Sequence, residues 1–274
     1  MKSCGRFNQY IACFKIIPLQ SVKLKTYFNW SSGKDSALAL YYLLQDKNYS
    51  IEHLLTSVNS LHNRVSMHGL RRELLEQQVR SLGITGSTIE LPEQPSMEEY
   101  ESVMRDAVMK LHRKGFKYAG FGDIFLEDLR KYREEQLDKL NIRAVFPIWK
   151  RNTRDLLDEF FNLGFKAVVV CVKADLLEAS FAGRMIDRSF IDDLPKGVDP
   201  CGENGEFHTF CFDGPVFKSA VPFVVGEKVY REYNATGSDQ DKSEKEKLKE
   251  KMGFWFCDIL PVEQTMFSDP HPAF

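Results

Sequence analysis

Residues 28–40, FNWSSGKDSALAL, set Lys34 between a glycine and an aspartate where a β-type run gives way to helical periodicity. Ser31, Ser32, Gly33, Lys34, Asp35 and Ser36 then offer a run of backbone N–H groups at a helix start, the Ser31 and Ser36 hydroxyls, and one ammonium. Such a place attracts anions, because the first amides of a helix lack intrahelical partners and the helix dipole is positive there. Asp35 adds a carboxylate that can hold Mg²⁺ or orient the loop. A plainer reading makes Ser32 and Asp35 helix caps. It accounts for both residues and leaves Lys34 without a purpose.

Two familiar phosphate loops do not fit. A Walker loop needs a glycine five residues before the glycine of its GK pair and a Ser or Thr after the lysine, where this chain has Phe28 and Asp35. A dinucleotide fingerprint needs three spaced glycines after the strand, and only Gly33 is present. Further along, Gly120 and Gly122 flank the end of KYAGFGD. Open α/β sheets bind ligands at that kind of strand end, and small residues there permit close approach, while Asp123 suits a ribose, a metal or ammonia. Asp123 can equally cap the helix after it. A second polar stretch, GENGEFHTFCFDGP at 202–215, carries Glu203 and Glu206 three residues apart, with His208 and Thr209 just beyond. By itself it also reads as an exposed acidic turn.

Taken together these motifs resemble a known family. SSGKDS is similar to the SGGKDS loop of the PP-loop ATP pyrophosphatases, which cleave ATP between the α and β phosphates. GENGEFHTFCFDGP resembles the GEGGEYETF signature, followed by DGP, of the diphthine–ammonia ligases. FGDIFLEDLR and PIWKRNTRDLL match that family in the same order, so the likeness runs from residue 26 to about 218. The chain departs at Ser32, where the family loop has its second glycine, and at His208, where eukaryotic ligases carry a second Glu. LEDL at 126–129 also replaces their more polar SDYQ-like segment. If position 32 needs a positive φ, the serine must tolerate strain.

The resemblance implies a reaction and roles. A carboxylate would be adenylated by ATP with loss of pyrophosphate, then amidated by ammonia with loss of AMP. Lys34, Asp35 with Mg²⁺, and the amides of 31–36 would stabilise the phosphates, with Arg130 a second cation. Met67 and His68 would meet the adenine, and Gly122 and Asp123 the nucleoside. Glu203, Glu206, His208 and Thr209 would bind the acceptor or ammonia, or take the ammonium proton. Arg184, in a family-like GR pair, would meet an anionic substrate or pair with Asp187. The implied acceptor is diphthine on a translation elongation factor.

These residues need a scaffold, and the pattern supplies one. From Thr26 onward, β-type runs alternate with helical periodicity, the signature of a parallel sheet with crossover helices. Strands are expected at TYFNW, IEHLLTSVN, STIEL, KYAGFGD and IRAVFPI. Helices are expected at DSALALYYLLQD, MHGLRRELLEQQVRSLG, SMEEYESVMRDAVMKLHRKG and LEDLRKYREEQLDKL. Leu70, Leu74, Leu75, Val79 and Leu82 form one stripe, and Ser96 with Glu99 reads as a capping box. The expectation is α/β: a Rossmann-like, HUP-type parallel five-stranded sheet over 26–150, then a smaller α+β domain over 151–262. In that second part NTRDLLDEFFNLGF is a capped helix, KAVVVCVKA, FVVGEKVYREY and GFWFCDIL are strands, and 202–215 is turn-heavy. A charged insert at 234–252 reads as a solvated loop or short helix, with tails at 1–25 and 263–274.

Composition narrows the classes. With 274 residues, 43% hydrophobic, 28% charged and a net charge of -2, the chain suits a globular protein with one or two domains. It shows no basic stripe for a nucleic acid. No run reaches the roughly 18 to 20 apolar residues that span a membrane. Cys4, Cys13, Cys171, Cys201, Cys211 and Cys257 form no CxxC pair, which suits reduced thiols in a cytoplasm. Cys201, His208 and Cys211 lack a fourth ligand for structural zinc. A homo-oligomer is compatible with all of this. Competing readings are a tRNA-modifying or sulfur-transferring PP-loop enzyme and a regulator that binds ATP or AMP without turnover.

Overall fold

The computed structural model describes residues 23–93, 95–234 and 251–262. Cys4, Cys13, the C-terminal tail, and nearly all of the N-terminal tail and of the charged insert lie outside these residues.

Five parallel strands make the first sheet: β1 (Leu24–Asn29), β2 (Tyr49–Asn59), β4 (Thr85–Leu91), β5 (Tyr118–Gly120) and β6 (Arg143–Val145). Their order is β4-β2-β1-β5-β6. The sequence pattern did not show β3 (Arg64–Val65), which pairs antiparallel with the end of β2. β1 stops opposite Leu55, and β3 takes up the free edge at Val58 and Asn59. The chain first winds from β1 towards β4, then returns to β5 on the other side of β1. The carboxyl ends of β1 and β5 therefore form the switch point, where an open α/β sheet leaves a crevice.

Successive residues of β1 face opposite ways, which separates two apolar layers. Phe28 packs with α1 (Lys34–Gln45) and α2 (Arg72–Leu82). Tyr27 packs with α3 (Met97–Arg113) and α4 (Glu127–Asp138). The Ser96–Glu99 capping box is present at the start of α3. Gly83 ends α2 at φ 67, a left-handed C-cap that a β-carbon would strain. α2 begins later than its periodicity suggests, at Arg72, because Met67 at φ 64 and Gly69 at φ 67 turn the chain first.

The second sheet is antiparallel, in the order β8-β7-β10-β9, with β7 (Lys166–Lys173), β8 (Phe207–Asp213), β9 (Phe223–Asn234) and β10 (Lys251–Pro261). Residues 167–172 of β7 are buried on both faces, which explains the unbroken run AVVVCV. The stretch expected to be turn-heavy is half strand: turns run to Glu206 and β8 follows. Between the two sheets α5 (Thr153–Asn162) is capped by Asn152, whose side chain accepts from Arg154 N and Asp155 N. A short α6 (Arg188–Asp192) is capped by Asp187.

Dividing the chain into two domains near residue 150 remains a proposal. The apolar core does not divide there, since Phe28, Leu74 and Leu75 share one cluster with Val168, Phe210 and Ile259. A polar clamp adds to it: Asp258 slips out of register in β10 and binds Arg64 at 2.9 Å and Arg71 at 2.7 Å. Among the described residues no helix is long and apolar enough to cross a membrane.

Candidate functional site

Beyond Asn29 the chain makes one abrupt turn. Ser32 takes φ 73, a left-handed conformation that is costly for any residue with a β-carbon. Its side chain is fully buried, and its Oγ has no hydrogen-bond partner among the described residues. Gly33 is the N-cap of α1 and makes no side-chain cap bond. The capping alternative for Ser32 and Asp35 therefore fails. Ser36 Oγ accepts from Ser31 N at 3.2 Å and donates to Asn29 O at 3.3 Å, while Ser31 Oγ accepts from Gly33 N at 3.4 Å. These bonds brace the turn from within and leave the Ser32 hydroxyl free.

Lys34 is 2% exposed. Its ammonium donates to both carboxylate oxygens of Asp35, at 2.8 and 2.7 Å, and to the carbonyl of Cys201. Burial, the largest single influence, would lower its pKa, but the charge and hydrogen bond of Asp35 together with the Cys201 and Glu203 charges outweigh it and hold the ammonium above its ordinary value. The aromatic ring of Phe207 lies 5.5 Å from the ammonium.

The second sheet completes the surroundings. Thr209 Oγ1 accepts from Lys34 N at 3.0 Å, and Cys211 N donates to Ser32 O at 2.9 Å. His68 Nδ1 meets Thr209 O at 3.0 Å, and the His68 and His208 rings lie 4.8 Å apart. Burial pushes His68 down to about 4 and His208 down to about 3, so both are neutral near neutral pH. A β-carbon on Gly33 would lie 2.8 Å from His68, and one on Gly122 would lie 2.9 Å from Ser36 N. Glycine at both places is what lets these segments meet.

The two carboxylates of the second motif have different positions. Glu203 Oε1 accepts from Ile124 N at 2.7 Å and Phe125 N at 3.3 Å, across the crevice after β5. Burial, helped by the negative charge of Asp35, pushes it up to about 7. Glu206 is 2% exposed and is spent inside its own turn, accepting from Asp199 N, Asn204 N and Asn204 Nδ2 at 2.8 to 3.0 Å.

Several expected site residues stand apart from this centre. Arg130 pairs with Glu134 at 2.8 Å and lies over the adjacent rings of Phe146 and Trp149. Arg184 pairs with Asp193 at 2.8 Å rather than with Asp187, and rests on Phe181 and Phe190. Asp123 faces Arg133 at 3.0 Å. Met67 is 70% exposed beside His68. Sequence reasoning missed Asp199, whose carboxylate gathers Thr153 Oγ1, Cys201 N and Glu203 N and so shapes the second loop. It also missed Gln78, a fully buried amide on the apolar stripe of α2. A lone polar residue on such a stripe was the available signal.

Among the described residues no three His, Cys, Asp or Glu side chains form a group able to hold a metal ion. Mg²⁺ keeps most of its waters and binds through one or two carboxylates plus phosphates. The donors here fit an ion that arrives on a polyphosphate, with Asp35 as the carboxylate. The unpaired Ser32 hydroxyl, the first amides of α1 and the Lys34 ammonium suit that same polyanion.

The chain resembles known proteins over much of its length. Residues 24–144 match the diphthamide synthase N-terminal domain, and residues 152–242 match the diphthamide synthase C-terminal domain. The chain is 34% identical to the diphthine–ammonia ligase of Bos taurus over 102 residues, 35% of this chain and 38% of that protein. It is 34% identical to the Homo sapiens diphthine–ammonia ligase over the same shares, and 25% identical to that of Danio rerio over 53% of this chain and 60% of that one. The matched region thus spans less than two thirds of these relatives. A solved U34-tRNA thiolase, NcsA from Methanococcus maripaludis, aligns at 16% identity and a TM-score of 0.32, over 53% of this chain and 58% of that one.

Proposed function

This chain belongs to the diphthamide synthase family, the diphthine–ammonia ligases of the PP-loop superfamily, and from that premise we propose that it is an ATP-dependent amide ligase. A carboxylate oxygen of the acceptor attacks the α-phosphorus of ATP, and the bond to the β-phosphate oxygen breaks. Pyrophosphate leaves. Ammonia then attacks the acyl carbon of the mixed anhydride, AMP leaves, and the proton lost from nitrogen passes to a base. The acceptor that the relatives' name points to is diphthine.

Charge on the phosphates is what the protein must offset, and pre-set donors in a site shielded from water do so most effectively. Lys34, the amides at the start of α1 and the Ser32 hydroxyl supply those donors. When bound, Mg²⁺ would neutralise phosphate charge, held on the protein side by Asp35. His68 and His208, both neutral, offer an apolar ring surface beside Gly33 for the purine, with Met67 at its edge.

The observation that carries the reading is the position of Glu203. Its carboxylate spans to the amides after β5, lies within the electrostatic reach of Lys34 and Asp35, and has a pKa near neutrality, as a base for ammonium should. We assign the base to Glu203 and a structural part to Glu206. Incubation with ATP, Mg²⁺, ammonium and a diphthine-bearing protein or simpler carboxylates should yield AMP, pyrophosphate and an amide. Release of ADP and phosphate, or no AMP with any acceptor, would overturn it.

A further inference from the structure

We propose that Gln78 is the positioning residue that fixes the backbone of the Ser31–Asp35 loop and locks β8 onto it; the link to nucleotide affinity rests on the ATP reading above. Gln78 lies on the stripe of α2 with Leu74, Leu75 and Leu82, and is 0% exposed. Its amide orientation follows from chemistry. Trp30 Nε1 can only donate, so Gln78 Oε1 must face it, and does so at 3.2 Å. Both hydrogens of Nε2 then point the other way, to Ser32 O at 3.0 Å and Cys211 O at 2.6 Å.

Each partner matters to the loop. Trp30 is the last residue before the turn. Ser32 is the strained residue, and its carbonyl accepts both from Gln78 and from Cys211 N at 2.9 Å. Cys211 lies in β8, two residues beyond Thr209, which receives the Lys34 amide. One buried amide therefore ties together the strand end, the left-handed residue and the strand that closes over the lysine. A left-handed serine is strained and persists only where its surroundings over-determine it. Gln78 provides that determination from α2, a helix outside the loop itself. Neighbouring bonds from Lys218 N to Ser81 O at 2.9 Å and from Ser219 N to Ser81 Oγ at 3.2 Å keep α2 registered against the connection between β8 and β9. The amide thus sits on a rigid mount.

Two variants separate shape from hydrogen bonding. Gln78→Glu keeps the outline and an acceptor for Trp30 but cannot donate to both carbonyls; Gln78→Met keeps volume and removes both donors without a buried charge. Val108→Ala, in the apolar layer on the opposite face of the sheet, is a control that lowers stability away from the loop. Amide hydrogen exchange is followed at Ser31–Asp35 and Cys211, with affinity for an ATP analogue that carries a methylene between its α and β phosphates. Both Gln78 variants should speed exchange in the two segments by about tenfold or more, and weaken the analogue by a similar factor. Val108→Ala should change neither by more than about twofold. Gln78→Met with wild-type exchange in both segments overturns the proposal. Failure of the unaltered protein to bind the analogue overturns the nucleotide reading instead, and the exchange result still decides the role of Gln78.

Discussion

The hydroxyl oxygen of Thr209 accepts the backbone N–H of Lys34 at 3.0 Å, across 175 positions of the chain. The first turn of α1, where a helix has amides to spare, thus gives one of them to a strand of the second sheet and leaves others for the proposed polyanion. Thr209 is 3% exposed, so this amide has little water to turn to. A substitution that removes the acceptor should be felt in stability as well as in turnover.

Thr209→Val keeps the branched shape and takes the acceptor away. Leaving a buried amide unpaired costs about 1–3 kcal/mol, which a urea titration should register as a lower midpoint with unchanged slope. Thr209→Ser restores an acceptor and should recover most of the loss. Equal stability of the valine and serine variants would deny this bond any weight.

Ser32→Gly tests the strain at φ 73. Glycine takes that conformation freely and removes a buried hydroxyl that lacks a partner. Unfolding free energy should rise by about 1 kcal/mol, measured by thermal or urea denaturation. A fall would mean that the serine hydroxyl is paired in solution. If the hydroxyl serves the phosphates, affinity for ATP should drop even as the protein becomes more stable.

In the proposed mechanism the base Glu203 sets the pH dependence of the reaction. With a pKa pushed up to about 7, it is protonated below that and can take a proton only above it. AMP formation should climb as pH rises through about 7 and then level off, and Glu203→Gln should be slow and flat across the range. Stability runs the other way: between the ordinary 4.5 and about 7 the folded chain keeps a proton that the unfolded chain has released, so stability falls as pH rises.

The paired histidines act in the opposite sense. Each is held below its ordinary 6.5, chiefly by burial and further by the charge of Lys34, with His68 adding to the effect on His208. Their contribution is complete above 6.5 and is lost as pH falls towards about 4 for His68 and about 3 for His208. His208→Phe keeps a ring against His68 without a titrating group. Its denaturation midpoint should fall less on acidification from pH 6.5 to pH 4 than that of the unaltered protein; an identical acid profile would remove His208 from the account.

Much of this was legible in the sequence where local chemistry decides structure. Ser96 and Glu99 announce a capping box that forms, and the strand-to-helix passage around Gly33 falls where its residues suggest. The departure at Ser32 announced a strained loop, and the residue adopts a positive φ. What could not be read depends on contacts far apart in the chain. Phe207–Asp213 is a strand because β7 pairs with it, although glycines and acids just before it suggest turns. Arg130 looked like a second cation for the phosphates, but the rings of Phe146 and Trp149 arrive from the segment after α4 and hold it beside Glu134. Glu203 and Glu206 look interchangeable in the motif, and only the amides of Ile124, Phe125, Asp199 and Asn204 tell them apart.

The central claim is that ATP is opened at its α-phosphorus by a carboxylate, and the fate of one oxygen atom tests it most directly. An acceptor whose carboxylate carries heavy oxygen is turned over with ATP, Mg²⁺ and ammonium, and the phosphorus resonance or mass of the released AMP is read. Adenylation transfers one labelled oxygen to the phosphate of AMP and leaves the other in the amide. AMP without label, or label found only in inorganic phosphate, would contradict the account.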